Sequence, residues 1–223
     1  MRLIYIYKHN TSVFIMNDPY IHIEENLISK ELCKDIIDIF DNCKKIRDAK
    51  TIGGVNKNIL LATSCSNCDL YDNLEWKQIN SFIINETTNA LKRYITKLNN
   101  RFIDHSAFDE FENDGFNLNK YSIDVSGRYS YHVDRFIDME EAYERAITFI
   151  WYLNDVDEGG ETEFNGTFKV KPEAGKLVFF PSTWSYPHSS LPVISNHKYI
   201  MVGWFRIDLK KEKHYIRNNE YKK

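Results

Sequence analysis

From Gly115 onward the chain is interrupted every few residues by a turn signal, and this punctuation limits the possible folds more than any other feature. Ser126-Gly127, Glu158-Gly159-Gly160, Asn165-Gly166 and Glu173-Ala174-Gly175 separate short runs rich in β-branched and aromatic residues. Gly, Asn and Asp tolerate the backbone reversals that tight connections need. About eight strands follow: Phe116 to Asp124, Tyr129 to Asp134, Ala146 to Leu153, Glu161 to Phe164, Thr167 to Val170, Lys176 to Phe180, Pro187 to Leu191 and Lys198 to Ile207. Strands this short at such spacing predict a sandwich or jelly roll.

The N-terminal half has a different period. Leu32, Ile36, Ile39, Phe40 and Cys43 recur at three- and four-residue spacing, which predicts a helix from Ser29 to Arg47 with Ser29 as its cap. Trp76, Ile79, Ile83, Ala90, Tyr94 and Leu98 predict a second helix from about Asn73 to Asn99, opened by a capping box of Asp72 and Glu75. Thr51-Ile52-Gly53-Gly54 begins a loop-rich stretch between them. The chain is therefore read as α+β, mainly β: residues 1–112 a helical and strand support, 113–208 the β core, 209–223 a polar basic tail.

Charge and composition narrow the function. A net charge of -3 and a pI near 6.2 argue against a protein built to bind phosphate backbones, so no nucleic-acid partner is expected. The longest apolar runs, such as Ala146 to Leu153, are far short of the roughly 20 residues of a membrane helix. Lys8, His9 and Asn10 interrupt the apolar patch Leu3 to Tyr7, so no secretory signal is expected and a cytoplasmic location follows. The N-terminal residues are read as an edge strand or an extension. Cys33, Cys43, Cys65 and Cys68 are then ordinary reduced thiols. Cys65 and Cys68 have the spacing of half a zinc site, but no second CxxC supplies the other ligands.

The chemistry lies in the β half. His132 and Asp134 stand two apart on one predicted strand, so both side chains face the same way. An HxD pair alone is weak, since it arises readily by chance. His188 on a later strand completes two histidines and a carboxylate, the facial ligand set of non-haem Fe(II), which leaves positions open for a chelating cosubstrate and O2. Lys198, ten residues on, opens an apolar strand and can reach into a pocket to neutralise a carboxylate. Tyr129 and Thr148 can each donate a hydrogen bond to the same anion, and a buried carboxylate needs such partners.

Three ordered segments resemble one family. They are Arg145-Ala146-Ile147-Thr148-Phe149-Ile150-Trp151-Tyr152-Leu153-Asn154 with Gly159-Gly160-Glu161-Thr162; Lys171-Pro172-Glu173-Ala174-Gly175-Lys176-Leu177-Val178-Phe179-Phe180-Pro181; and Pro187-His188 leading to Pro192-Val193. Together, over about Leu118 to Arg206, they resemble the Fe(II)/2-oxoglutarate-dependent dioxygenases of the prolyl 4-hydroxylase-like branch, alpha-subunit catalytic domain type. That resemblance implies a double-stranded β-helix (jelly roll) core braced by the N-terminal helices. It implies His132, Asp134 and His188 as the catalytic iron ligands, and Lys198 as partner of the distal carboxylate of 2-oxoglutarate, with Tyr129 and Thr148 beside it. It also implies Trp204 and, more loosely, Tyr121 as pocket residues. Fe(II), 2-oxoglutarate and O2 are the implied cofactor and cosubstrates, with ascorbate as reductant. The chain departs from the family where Ser195-Asn196-His197-Lys198 lacks the usual Gly. Taking His197 as the distal ligand would put Arg206 one residue off spacing and leave Lys198 without a role, so His188 is preferred.

The implied reaction is hydroxylation of a C–H bond, most simply of a peptidyl proline, with release of succinate and CO2. Tyr131, Phe136, Trp151 and Trp184 are candidates for an aromatic peptide groove, and Arg135 to Arg145 for a mobile lid. A free amino acid or small metabolite is the alternative substrate. A non-catalytic jelly-roll binding module is the alternative of another class, disfavoured by a complete triad accompanied by Lys198.

Overall fold

The computed structural model describes residues 18–48, 62–66, 70, 72–99 and 111–210. Cys68 and most of the stretch after Thr51 lie outside these residues, as do the N-terminal extension and nearly all of the tail.

Twelve strands and two helices are present among the described residues. The strands are β1 (His22–Glu24), β2 (Arg47–Asp48), β3 (Ala62–Ser66), β4 (Glu112–Tyr121), β5 (Tyr129–His132), β6 (Ile137–Asp138), β7 (Tyr143–Tyr152), β8 (Thr162–Phe164), β9 (Phe168–Val170), β10 (Leu177–Pro181), β11 (His188–Ser190) and β12 (Lys198–Asp208). The helices are α1 (Lys30–Asp41) and α2 (Leu74–Asn99). A large sheet runs β1-β10-β7-β12-β4-β3-β2, with β6 paired to β7, and a small sheet runs β5-β11-β8-β9. Every pairing is antiparallel. The two sheets form the jelly-roll core that the turn spacing predicted, with both helices against the outer face of the large sheet.

The long strands β7, β10 and β12 are buried on both faces, and for that reason read as nearly continuous apolar runs. Their alternate residues serve different layers. Phe149 and Trp151 of β7, Phe179 of β10 and Met201 and Phe205 of β12 pack with Cys33, Ile36, Phe40, Trp76 and Ile83 of the helices. The residues between them, Ile150, Tyr152, Val178, Phe180 and Ile200, face the small sheet and pack with Phe164. A β-carbon on Gly203 would come 2.3 Å from the carbonyl oxygen of Gly115, so only glycine lets β12 pass β4 there.

Several boundaries differ from those predicted. Helix α1 begins as expected, with the Ser29 hydroxyl accepting from the Leu32 amide at 3.1 Å. It ends at Asp41 and not at Arg47, because the Asn42 side chain donates to the Asp38 carbonyl at 2.8 Å and Arg47 pairs with Ser64 in the sheet. The cap of α2 is Asn73, whose side chain accepts from the Trp76 amide at 2.9 Å, in place of the Asp72 and Glu75 box. β4 stops at Tyr121, and Ile123–Val125 turns into a 3₁₀ helix. Within Arg135 to Arg145 the expected lid is a paired hairpin: β6 pairs with β7, and the Asp138 side chain accepts from the amides of Glu140 and Glu141. Among the described residues no helix is long and apolar enough to cross a membrane.

Candidate active site

His132 closes β5 and His188 opens β11, and the two stand directly opposite one another in the antiparallel ladder. Residues 56 apart in sequence thus arrive on one rung, with ring centroids 4.3 Å apart. Asp134 lies two residues beyond the strand that was predicted to contain it. The ladder ends at His132 because its partner His188 is the first residue of β11, so residues 133 and 134 leave the sheet and Asp134 folds back toward both rings. Its Oδ1 is 3.4 Å from His132 Nε2 and its Oδ2 3.6 Å from His188 Nε2.

The hydrogen bonds around these groups prepare them for a cation. Each histidine turns Nδ1 to a main-chain carbonyl, His132 to Ser130 at 2.8 Å and His188 to Tyr186 at 3.2 Å. Nδ1–H is the donor there, which leaves the Nε2 lone pairs aimed at the shared space. Burial pushes the His188 pKa down and keeps its ring neutral, against the pull of Asp134. Burial also opposes ionisation of Asp134, but the charge that His188 and His132 carry when protonated, together with the Thr148 hydroxyl, outweighs it and holds that carboxyl well below the usual range. One ligand atom from each residue lies within 4.8 Å of the others. Two imidazoles with Nε2 turned to a shared space and a carboxylate in this arrangement fit Fe(II).

A cavity opens from the triad toward the large sheet. Lys198 is 1% exposed and reaches into it, donating to the Gly160 carbonyl at 2.8 Å and to the Ser190 hydroxyl. Its Nζ also lies 4.3 Å from the centre of the Tyr121 ring. Both hydrogen-bond acceptors are neutral, and no carboxylate among the described residues stands at ion-pair distance. Burial lowers its pKa to about 7, with Glu161 acting through space in the other direction. A buried ammonium without a counter-ion is costly, so this end of the cavity suits an anionic carboxylate such as that of 2-oxoglutarate.

The remaining predicted residues divide into two groups. Tyr121, Tyr129 and Trp204 line the cavity, with the Tyr129 ring tilted by 46° against the His132 ring, centroids 4.0 Å apart. Thr148 does not line it: its hydroxyl donates to Asp134 Oδ2 at 2.8 Å and contacts Ser182 Oγ at 2.8 Å. His197, the alternative distal ligand, accepts from the Ile123 amide at 3.1 Å and stands apart from the triad. One member of the expected aromatic groove, Trp151, is corrected. Trp151 faces the helices with no exposed surface and donates to Thr87 at 2.9 Å, while Tyr131 and Trp184 are exposed.

Other lining residues were not singled out from the sequence. Asn117 and Asn119 share a face of β4 with Tyr121 and line the cavity with Thr162. Thr162 Oγ1 accepts from the Tyr152 hydroxyl at 2.6 Å, leaving its own proton for a ligand. Arg145 stacks on Trp204, its Cζ 3.5 Å from the ring centre. Arg145 Nε, Trp204 Nε1 and Asn119 Oδ1 are buried without hydrogen-bond partners among the described residues. The polar side of the alternation Phe116-Asn117-Leu118-Asn119 was the available signal, but an inner polar face and a solvent face look alike in sequence.

Residues 116–206 match the family model of the 2OG-Fe(II) oxygenase superfamily. Prolyl 4-hydroxylase 13 of Arabidopsis thaliana is 30% identical over 119 residues, covering 42% of this chain and 43% of the plant protein. A putative prolyl 4-hydroxylase of Acanthamoeba polyphaga mimivirus is 26% identical over 218 residues, covering 89% and 80%. The match to the plant relative thus spans less than half of that protein's length. Among solved structures, the viral collagen prolyl hydroxylase of Paramecium bursaria Chlorella virus-1, in its 2OG complex, superposes with a TM-score of 0.56 at 18% identity, over 86% of this chain and 98% of the other. A Trichoplax adhaerens prolyl hydroxylase, in complex with a hypoxia inducible factor peptide fragment, gives 0.62 at 16% identity, over 89% and 88%. At such identity these two structures speak to the fold alone.

Proposed function

We propose that this chain, whose residues 116–206 are a 2OG-Fe(II) oxygenase domain of the prolyl 4-hydroxylase-like type, hydroxylates a proline held within a peptide. The observation that carries this reading is one cavity with a triad whose two histidines stand on the small sheet and a buried Lys198 without a counter-ion on the large one. His132, Asp134 and His188 would hold Fe(II), and Lys198 would take the distal carboxylate of 2-oxoglutarate, with Tyr121, Tyr129 and Trp204 around it. When bound, these groups supply an O2-derived oxidant that puts a hydroxyl in place of a C–H hydrogen, with succinate and CO2 released. The chain's own share is to orient the imidazoles through Ser130 and Tyr186, to neutralise the cosubstrate with Lys198, and to exclude water with the apolar walls Ile150, Ile200 and Val202.

The electrostatics of the cavity favour a peptide over a free amino acid. Asp134 is the only carboxylate among the lining residues, and it is committed to the triad, so nothing there pairs with an α-ammonium. The unpartnered Trp204 Nε1 and Asn119 Oδ1, both on lining residues, are the donor and acceptor that a peptide backbone would satisfy. The test supplies Fe(II), 2-oxoglutarate, O2 and ascorbate with either a proline-containing peptide or free proline and other amino acids. Mass spectrometry then follows succinate and hydroxylated product. Hydroxyproline in the peptide, matched by succinate, is expected. Hydroxylation of the free amino acid alone would move the assignment to small-metabolite chemistry, and a folded protein that makes no succinate with any substrate would point to a binding module. A cytoplasmic setting is part of the same proposal.

Lys198 gives the cosubstrate a pH dependence. Below its pKa of about 7 the amine is charged with or without ligand, and the carboxylate is bound at full strength. Above that pH the free site is neutral, binding must first return a proton, and affinity falls as pH rises. The Kd for 2-oxoglutarate should therefore rise by up to about tenfold per pH unit from about pH 7 upward. In Lys198→Arg, which stays charged, the slope should vanish. A wild-type Kd that is flat over this range would remove Lys198 from the carboxylate site.

A further inference from the structure

We propose that Thr148, itself held by Ser182, keeps Asp134 a one-oxygen ligand and so preserves room on the metal for both a chelating cosubstrate and O2. The proposal rests on the metal-site reading given above. Two histidines and one carboxylate oxygen leave three of six positions open, the number that a bidentate cosubstrate and O2 together need. A carboxylate that chelated through both oxygens would leave two.

The backbone does not settle which way Asp134 turns, because it lies past the end of β5 with no ladder partner. A hydroxyl does. Thr148 Oγ1 gives its only proton to Asp134 Oδ2 at 2.8 Å, so in its 2.8 Å contact with Ser182 the serine must be the donor. The chain therefore runs one way, from Ser182 through Thr148 to Asp134. Thr148 and Ser182 are 0% and 1% exposed, so bulk water does not compete. Both are fixed by the sheet: Thr148 is paired with Phe180 across β7 and β10, and the Ser182 amide donates to the Ala146 carbonyl at 2.9 Å. Oδ2 lies 3.6 Å from His188 Nε2 but spends one of its lone pairs on Thr148. Oδ1, 3.4 Å from His132 Nε2, accepts no hydrogen bond from a hydroxyl among the described residues and is the freer oxygen for the cation.

Thr148 and Ser182 are positioning residues, and their effect is read by spectroscopy and binding, without turnover. Wild type, Thr148→Val, Thr148→Ser and Ser182→Ala are titrated anaerobically with Fe(II) and then 2-oxoglutarate, following the weak visible band of the chelate. Thr148→Val should still bind Fe(II), lose about 10- to 100-fold in 2-oxoglutarate affinity, and show a shifted or absent band, as befits loss of an outer-shell partner. Thr148→Ser should restore the wild-type band, and Ser182→Ala should fall between. A folded Thr148→Val with the wild-type Kd and band overturns the proposal alone. If Thr148→Val does not fold, a Ser182→Ala indistinguishable from wild type overturns it. A wild type with no band overturns the metal-site reading and this proposal with it.

Discussion

Asp134→Ala should bind Fe(II) at least about a hundredfold more weakly than wild type and lose turnover with it. Among the described residues Asp134 supplies the only negative charge lining the cavity, and both imidazoles converge on it at 3.4 and 3.6 Å. Losing even an outer-shell partner of a metal ligand costs about 10- to 100-fold in metal affinity, and losing a charged group placed to bind the cation directly costs at least as much. Two neutral imidazoles without the carboxylate are also a poorer set for a hard divalent cation. Anaerobic Fe(II) titration, with circular dichroism to show that the variant is folded, reads the result. A folded Asp134→Ala that binds Fe(II) as wild type does would remove Asp134 from the ligand set.

Trp151→Ala should instead act on the fold, at a cost of about 3–5 kcal/mol. The indole has no exposed surface and lies in the core between the large sheet and the helices. Its Nε1 donates to Thr87 Oγ1 on α2 at 2.9 Å, and Thr87 in turn donates to the Ile83 carbonyl at 2.6 Å. The substitution leaves a cavity under α2 and removes the bond that ties the helix to β7. Domains of this size are stable by only about 5–15 kcal/mol, so the loss is a large share of the total. In urea the midpoint should drop with little change in slope. A variant with wild-type stability but a raised KM for peptide would return Trp151 to the substrate groove in which sequence reasoning put it.

That reassignment of Trp151 shows where legibility ended. The strand Ala146 to Leu153 was readable from composition, and so was its burial. Which of its residues face the helices and which face the triad was not, because a strand buried on both sides has no polar face to mark its register. Phe149, Trp151 and Ile150 are alike in kind and differ only in parity. His132, Asp134 and His188 were legible because their residue types are chemically specific and the segments around them fall in a recognisable order. The route by which Asp134 joins them was misjudged, since strand alternation assumes a ladder that in fact stops at His132. Thr148 was read as a partner of the cosubstrate, yet its hydroxyl is taken by Asp134. Ser182 was invisible for a general reason: a serine after a strand carries no signal until the fold shows that it sits beside Thr148. Helix α1 was overextended because Cys43 continues the apolar period beyond the point where Asn42 caps the helix.

The division of β7, β10 and β12 into two faces has a consequence for how such a protein can be altered. One set of alternate positions secures the helices, and the other surrounds the reacting groups. Asn117, Asn119 and Val202, which line the cavity and are only partly buried, can therefore be varied to admit differently shaped substrates while the helix-side scaffold stays intact. At Ile150 and Ile200 the two demands meet, because those side chains wall the cavity and also hold the core against the small sheet.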